Sequence, residues 1–217
     1  MKLGIIHTSA VSLNDLKALC SEIIPDVEVI NIIDDSLLEE VKKNNGPTAS
    51  IISRMCTYVT VMDKLGVDLI LNQCSSVGEA FDIARKCTCI KTLKIDETMA
   101  KKAVSMGTSI AVVATVASTM KPSCELVRKM AKEAGKECVV DEFLVDGALD
   151  ILMKEKDQEK HNRLCLETIK KAAKDHDVIV LAQGSMTVLL PYIKDIDKPV
   201  LTSPRLAIEK VKEMLGA

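Results

Sequence analysis

Cys74 closes an apolar run and opens a polar loop, in the stretch Asp68-Leu-Ile-Leu-Asn-Gln-Cys74-Ser-Ser76. The helical pattern that follows starts at Val77. A thiol just ahead of a helix has its thiolate favoured by the helix dipole and by free backbone N–H groups. Those N–H groups, with the hydroxyls of Ser75 and Ser76, would also hold a carboxylate or an oxyanion. One short loop therefore offers a base or nucleophile beside an anion cradle. The stretch returns as Asp177-Val-Ile-Val-Leu-Ala-Gln183-Gly-Ser185, from position 68 to position 177, an offset of 109. Leu3-Gly-Ile-Ile-His7-Thr8 returns as Ile110-Ala-Val-Val-Ala114-Thr115, at an offset of 107. Two matched strand-and-loop units at nearly one spacing imply two similar lobes facing one cleft, with Gln183 as the counterpart of Cys74.

Other polar residues gather at equivalent places. Ligands of open α/β sheets bind beyond the carboxyl ends of the strands. His7, Thr8 and Ser9 follow the first strand pattern, Asn72 to Ser76 the next of the matched pair, Thr115, Ser118 and Thr119 follow Val113, Gln183, Gly184 and Ser185 follow Leu181, and Thr202 and Ser203 follow Leu201. Some of these are expected to cap helices, and Ser76-Val-Gly-Glu79 reads as a capping box. His7 ends an apolar strand and could orient Cys74, contribute a proton, bind a carboxylate, or simply satisfy a backbone carbonyl. His161 and His176 lie in polar helical stretches and are expected to be solvated. Cys87-Thr-Cys89 has no second pair and no nearby His, so a zinc site is not expected. No G-x-G-x-x-G or P-loop supports dinucleotide or NTP binding.

The elements that must position these residues alternate. Strand patterns lie at 3–6, 27–30, 68–71, 90–93, 109–113, 138–141, 178–181 and 200–201, several of them continuous β-branched runs of the kind buried on both faces. Helical patterns lie at 13–21, 49–64, 77–86, 97–105, 119–134, 148–154, 158–174 and 204–215. Such alternation reads as α/β: two pseudo-symmetric lobes, each a mostly parallel sheet flanked by helices, with the active site between them. Asn44-Asn-Gly-Pro47 is the clearest turn. The lobe boundary is expected near Ile95, giving a first lobe of 1–95 plus 204–217 and a second of 96–203, with the last helix returning to the first lobe.

With 217 residues, 47% hydrophobic and 28% charged, the chain can bury a full core. A net charge of −2 spread over mixed signs and only 2% aromatics argue against nucleic acid as a partner. No secretory leader and no long apolar run is present, so a cytoplasmic protein without a membrane partner is expected. The eight cysteines are dispersed and read as reduced thiols, with Cys20, Cys56, Cys124, Cys138 and Cys165 as small buried hydrophobes.

At Asn72-Gln-Cys74-Ser-Ser-Val-Gly-Glu79, Val113-Ala-Thr115-x-x-Ser118-Thr119, Leu181-Ala-Gln-Gly-Ser-Met186 and Pro199-Val-Leu-Thr-Ser-Pro204, the chain resembles the aspartate/glutamate/hydantoin racemase superfamily over nearly its whole length. The resemblance implies two similar α/β lobes and no metal, pyridoxal phosphate, nucleotide or other cofactor. It further implies a cysteine from each lobe flanking the substrate's α-carbon. Cys74 matches the first-lobe cysteine, and Thr115 with Ser118 and Thr119 the carboxylate-binding loop. His7 and Thr8 occupy the loop where relatives place a polar residue near that cysteine. Gln183 falls where the second cysteine is expected.

Gln has no titratable proton, which departs from symmetric two-thiol racemisation. Three readings follow. His7, Ser185 or a water supplies the second proton; or Cys74 alone acts, as proton donor or covalent nucleophile, in one-cysteine isomerase or decarboxylase chemistry; or the site binds a small carboxylate without turning it over. The first expectation is a cofactor-independent isomerase of a small amino acid or carboxylate, with Cys74 as acid/base, Asn72, Ser75, Ser76, Thr115 and Ser118 around the anion, and Gln183 and Ser185 on the far side. Cys–His hydrolysis through His7 is a weaker alternative. By analogy with such lobes a homodimer is expected.

Overall fold

The computed structural model describes residues 1–217, the side chain of Met153 excepted. The chain divides into two compact units, Met1–Thr98 with Pro204–Ala217, and Met99–Ser203.

In the first unit β1 (Lys2–His7), α1 (Leu13–Ile23), β2 (Glu28–Ile33), α2 (Ser36–Asn44), α3 (Ala49–Lys64), β3 (Leu69–Asn72), α4 (Gly78–Ala84) and β4 (Lys91–Lys94) follow one another. α5 (Glu97–Met106) leads into the second unit. There β5 (Ser109–Ala114), α6 (Ala117–Glu133), β6 (Val139–Leu144), α7 (Ala148–Asp150), α8 (Gln158–Asp175), β7 (Val178–Leu181) and β8 (Val200–Thr202) complete a second sheet. α9 (Ser203–Leu215) then belongs, from Pro204 on, to the first unit. Both sheets are wholly parallel and share one order, β2-β1-β3-β4 and β6-β5-β7-β8.

The continuous apolar runs follow from burial on both faces. Successive strand side chains point to opposite sides. Leu3, Ile5, Leu69 and Leu71 pack with Leu16 and Cys20 of α1 and with Ala207, Ile208 and Val211 of α9. Ile6 and Ile70 pack on the other face, with Leu37 and Val41 of α2 and Ile51, Met55 and Val59 of α3. In the second unit Ala111, Val113, Ile179 and Leu181 meet Cys165, Ile169 and Ala172 of α8. The edge strands β2 and β6 keep exposed positions, as one-sided strands do.

The sequence repeat is a repeat of hydrogen bonds. The Asp68 carboxylate accepts the Lys2 N–H at 2.7 Å, and the Asp177 carboxylate accepts those of Thr108 and Ser109, each at 3.0 Å. The Gln73 N–H donates to the Ile6 carbonyl at 3.0 Å, and the Ala182 N–H to the Val113 carbonyl at 2.9 Å. These bonds fix how far each loop projects past its sheet.

Several expectations change. α2 was not expected; its buried Leu37 and Val41 are four residues apart, one helical turn. It ends where the turn was expected, with Asn45 left-handed at φ +56°. The helix expected at 148–154 is α7 running into a π-helical turn, Ile151–Glu155. His161 and His176 are buried, not solvated. His161 shares the core face of α8 with Cys165, Ile169 and Ala172. His176 is held at Nδ1 by the Ala172 carbonyl (2.8 Å) and at Nε2 by Asp141 (3.0 Å), with its ring edge-on to Phe143. Cys20, Cys124 and Cys165 are buried, whereas Cys56 and Cys138 are only partly so. No helix is long and apolar enough to cross a membrane among the described residues.

Candidate functional site

Within the first unit the polar loops stand at the carboxyl ends of β1 and β3. Cys74 has extended backbone, φ −125° and ψ 122°, and leads into a single 3-10 turn, Ser75–Val77. The Asn72 side chain, fully buried, donates from Nδ2 to the Cys74 carbonyl at 2.9 Å, and the Val77 N–H reaches that same carbonyl at 3.4 Å. Gln73 anchors the loop from the other side, donating from Nε2 to Ser12 Oγ at 2.7 Å. The surroundings are buried, namely Asn72, Ser75, Ser76 and Val77, and Cys74 is partly exposed. A thiol that remains accessible in a fixed loop is what proton transfer or nucleophilic attack needs.

The capping box does not form. Ser76 lies inside the 3-10 turn, and α4 starts at Gly78 with Val77 ahead of it and no side-chain cap. Cys74 thus heads a three-residue turn before the helix proper.

His7 is fully buried, and its Nε2 is 2.8 Å from Asn31 Oδ1 on the neighbouring strand β2. Its Nδ1 is buried without a partner. Burial holds the imidazole below its ordinary pKa, with the nearby Lys17 charge adding to the effect and the Asn31 bond opposing it. Among the described residues no hydrogen bond joins His7 to Cys74. Thr8 beside it is also buried.

Within the second unit Gln183 has the backbone of Cys74, φ −127° and ψ 135°, and likewise leads into a 3-10 helix, Gly184–Tyr192. Its carboxamide oxygen accepts the Thr115 N–H at 2.6 Å and the Thr115 hydroxyl at 3.2 Å. Both donors of Thr115, which was expected to help hold a carboxylate, are therefore engaged by a side-chain oxygen. Thr119 is buried, Ser118 Oγ is buried without a partner, and Ser185 is exposed.

Sequence reasoning missed Asp96. It stands just past β4, at the start of α5, and is almost wholly buried with Oδ1 unpartnered. Burial raises its carboxyl above the ordinary range, and the Ser75 hydroxyl and the Lys94 charge draw it back. Asp96 thus bears on the residue next to Cys74. Lys94, also buried, is taken up by Asp82 at 2.9 Å, and its N–H donates to Glu97 at 3.0 Å. The only sequence signal was an Asp-Glu pair just after the strand Lys91–Lys94 and Ile95. A second cluster was missed beyond β2, where Asp34 accepts from Arg54 Nη1 at 2.8 Å and Tyr58 at 2.6 Å, and Glu40 pairs with the same Arg54. Every charge in it is answered, which marks it as a clamp between α2 and α3.

The sequence matches the Asp/Glu/Hydantoin racemase family over residues 3–211. No curated protein matches it in sequence. Solved structures match the fold. A glutamate racemase from Francisella tularensis, in complex with D-glutamate, superposes with a TM-score of 0.76 at 14% identity, covering 99% of this chain and 81% of that one. Allantoin racemase from Klebsiella pneumoniae gives 0.70 at 16% identity, covering 100% and 88%. Unliganded arylmalonate decarboxylase gives 0.61 at 14% identity, covering 100% and 93%. At such identities the likeness is one of fold. The sequence match spans all eight strands, and the chain belongs to the Asp/Glu/Hydantoin racemase family.

Proposed function

We propose that this protein is a cofactor-independent, racemase-like isomerase of a small amino acid or carboxylate, with Cys74 as its one acid/base thiol. The observation that carries the reading is the equivalence of Cys74 and Gln183. Both follow the same inter-strand hydrogen bond, both have extended backbone, and both lead into a 3-10 turn, but only one can exchange a proton. Family membership supports the reaction class.

Cys74 as thiolate removes the α-proton, and the resulting charge spreads into the substrate carboxylate as an enediolate. Hydrogen-bond donors held ready for that oxygen lower the barrier. The loop N–H groups and the hydroxyls of Ser75 and Ser76 serve this role, with Thr8 at the end of the neighbouring strand β1 as a further polar contact. Inversion needs a proton on the opposite face. A water supplies it, or the thiol returns its own proton to the same face and the α-proton exchanges without inversion.

A second reading is a one-thiol decarboxylase. There the carbanion arises by loss of carbon dioxide, and a single protonation by Cys74 completes the reaction. The absence of a titratable group at Gln183 favours it, and the fold is shared with arylmalonate decarboxylase.

The test is a panel of 2-amino acids, 2-substituted carboxylic acids and substituted malonic acids in heavy water, followed by proton NMR and chiral chromatography. Exchange at the α-carbon outpacing inversion, or loss of carbon dioxide from a malonic acid, supports one-thiol chemistry. Binding of these acids with no exchange and no gas release would make the protein a carboxylate binder and end the enzymatic reading.

A further inference from the structure

Away from Cys74, the sulfur atoms of Cys56 and Cys87 stand 3.9 Å apart. Cys56 is on α3 and half-buried, packed against the core beneath that helix. Cys87 is exposed and ends the 3-10 turn Arg85–Cys87 that continues α4. Asp63, Lys86, Cys87, Thr88, Cys89 and Ile90 line a cavity of about 470 Å³ here. The thiols thus belong to different elements, with an open approach to the outer one. Bond formation asks the sulfurs to close from 3.9 Å to about 2.05 Å.

We propose that Cys56 and Cys87 are a reversible oxidation site that forms a disulfide on reaction with a peroxide. The exposed Cys87 attacks first. Its thiolate sulfur takes one peroxide oxygen, the O–O bond breaks, and water leaves with Cys87 as sulfenic acid. The Cys56 sulfur then attacks the Cys87 sulfur, the S–O bond breaks, and a second water leaves. Two thiols lose two electrons and one peroxide gains them. Burial, and then the neighbouring Cys87, raise the Cys56 thiol above its ordinary pKa, which suits it to act second. The bond closes residues 56 to 87 into one covalent loop that contains β3, Cys74 and α4. Oxidation therefore fastens α3 to the end of the helix that follows the reactive loop.

The experiment treats the full chain with hydrogen peroxide, blocks free thiols, and maps peptides without reduction. A peptide pair linked through Cys56 and Cys87, the loss of two hydrogens from the intact mass, and reversal by dithiothreitol are expected. Cys89→Ser should leave the link in place, and Cys87→Ser should remove it with Cys56 recovered as free thiol. A link between Cys87 and Cys89, or Cys87 driven to sulfinic acid while Cys56 stays free, would overturn the proposal.

Discussion

The carboxamide oxygen of Gln183 accepts both the backbone N–H and the hydroxyl of Thr115, at 2.6 and 3.2 Å. A cysteine at position 183 could make neither bond as well, since sulfur is a weak acceptor. The glutamine is therefore a residue with its own bonding role in the second unit, and it leaves its Nε2 as a donor. Gln183→Leu strands the Thr115 N–H and should cost about 1–3 kcal/mol of unfolding free energy by urea titration. An unchanged midpoint would show that Thr115 does not depend on this bond. Gln183→Cys restores a proton-bearing group and should raise inversion of configuration relative to α-proton exchange; a ratio that does not move would remove the missing thiol as the reason for asymmetry.

Asp96 gives a pH-dependent prediction. Its folded-state pKa is raised, chiefly by burial, so its contribution to stability is fully present below the unfolded carboxylate value of about 3.9 and is lost as pH rises through the folded value. Asp96→Asn keeps the shape and removes the charge. It should stabilise the protein at neutral pH relative to the parent, with the gain shrinking as pH falls toward 4. Matched urea titrations at the two pH values check this. A variant less stable at neutral pH would mean that the ionised carboxylate is needed, through Ser75, to hold the Cys74 loop.

His7 runs the other way. Burial lowers its folded pKa, so the unfolded chain binds the proton more readily. The neutral ring's contribution is present above the unfolded value of about 6.5 and is lost as pH falls through the lowered folded value. Thermal midpoints should fall as the pH drops below that value, and His7→Gln should flatten the slope there. A variant with the parent's slope would assign the acid sensitivity to other groups.

The thiols should sort by environment. Burial pushes Cys20 up to about 11, Cys165 to about 11, and Cys124 to about 12, the last helped by Glu142. At pH 8 such groups are thiolate at about one part in a thousand or less. Timed iodoacetamide labelling read by mass spectrometry should modify Cys74 well before these three. Cys74 labelling no faster than Cys165 would contradict its accessibility and its role.

Much of the fold was legible because burial on both faces writes itself as unbroken apolar runs. All eight strands overlap the stretches expected for them, the unbroken runs being those of the central strands, and Asp68 and Asp177 recur because each caps the start of an equivalent central strand, β1 or β5. The failures were local. The Ser76–Glu79 spacing suits a capping box, but bonds to the Cys74 carbonyl from the Asn72 side chain and the Val77 N–H draw the chain into a 3-10 turn first. His161 was read from its polar neighbours when its spacing to Cys165 and Ile169 already put it on the core face. Position 74 was legible from its loop and its counterpart. Asp96 was not, because a single buried carboxylate has no periodicity to mark it.

The central claim is that Cys74 moves the α-proton. The direct measurement is the rate of deuterium incorporation at the α-carbon of the best acid found, for the parent protein and for Cys74→Ala, with ligand affinity measured alongside. The account predicts a loss of about 10²- to 10⁴-fold in exchange with affinity nearly unchanged. Exchange by Cys74→Ala at the parent's rate would contradict it.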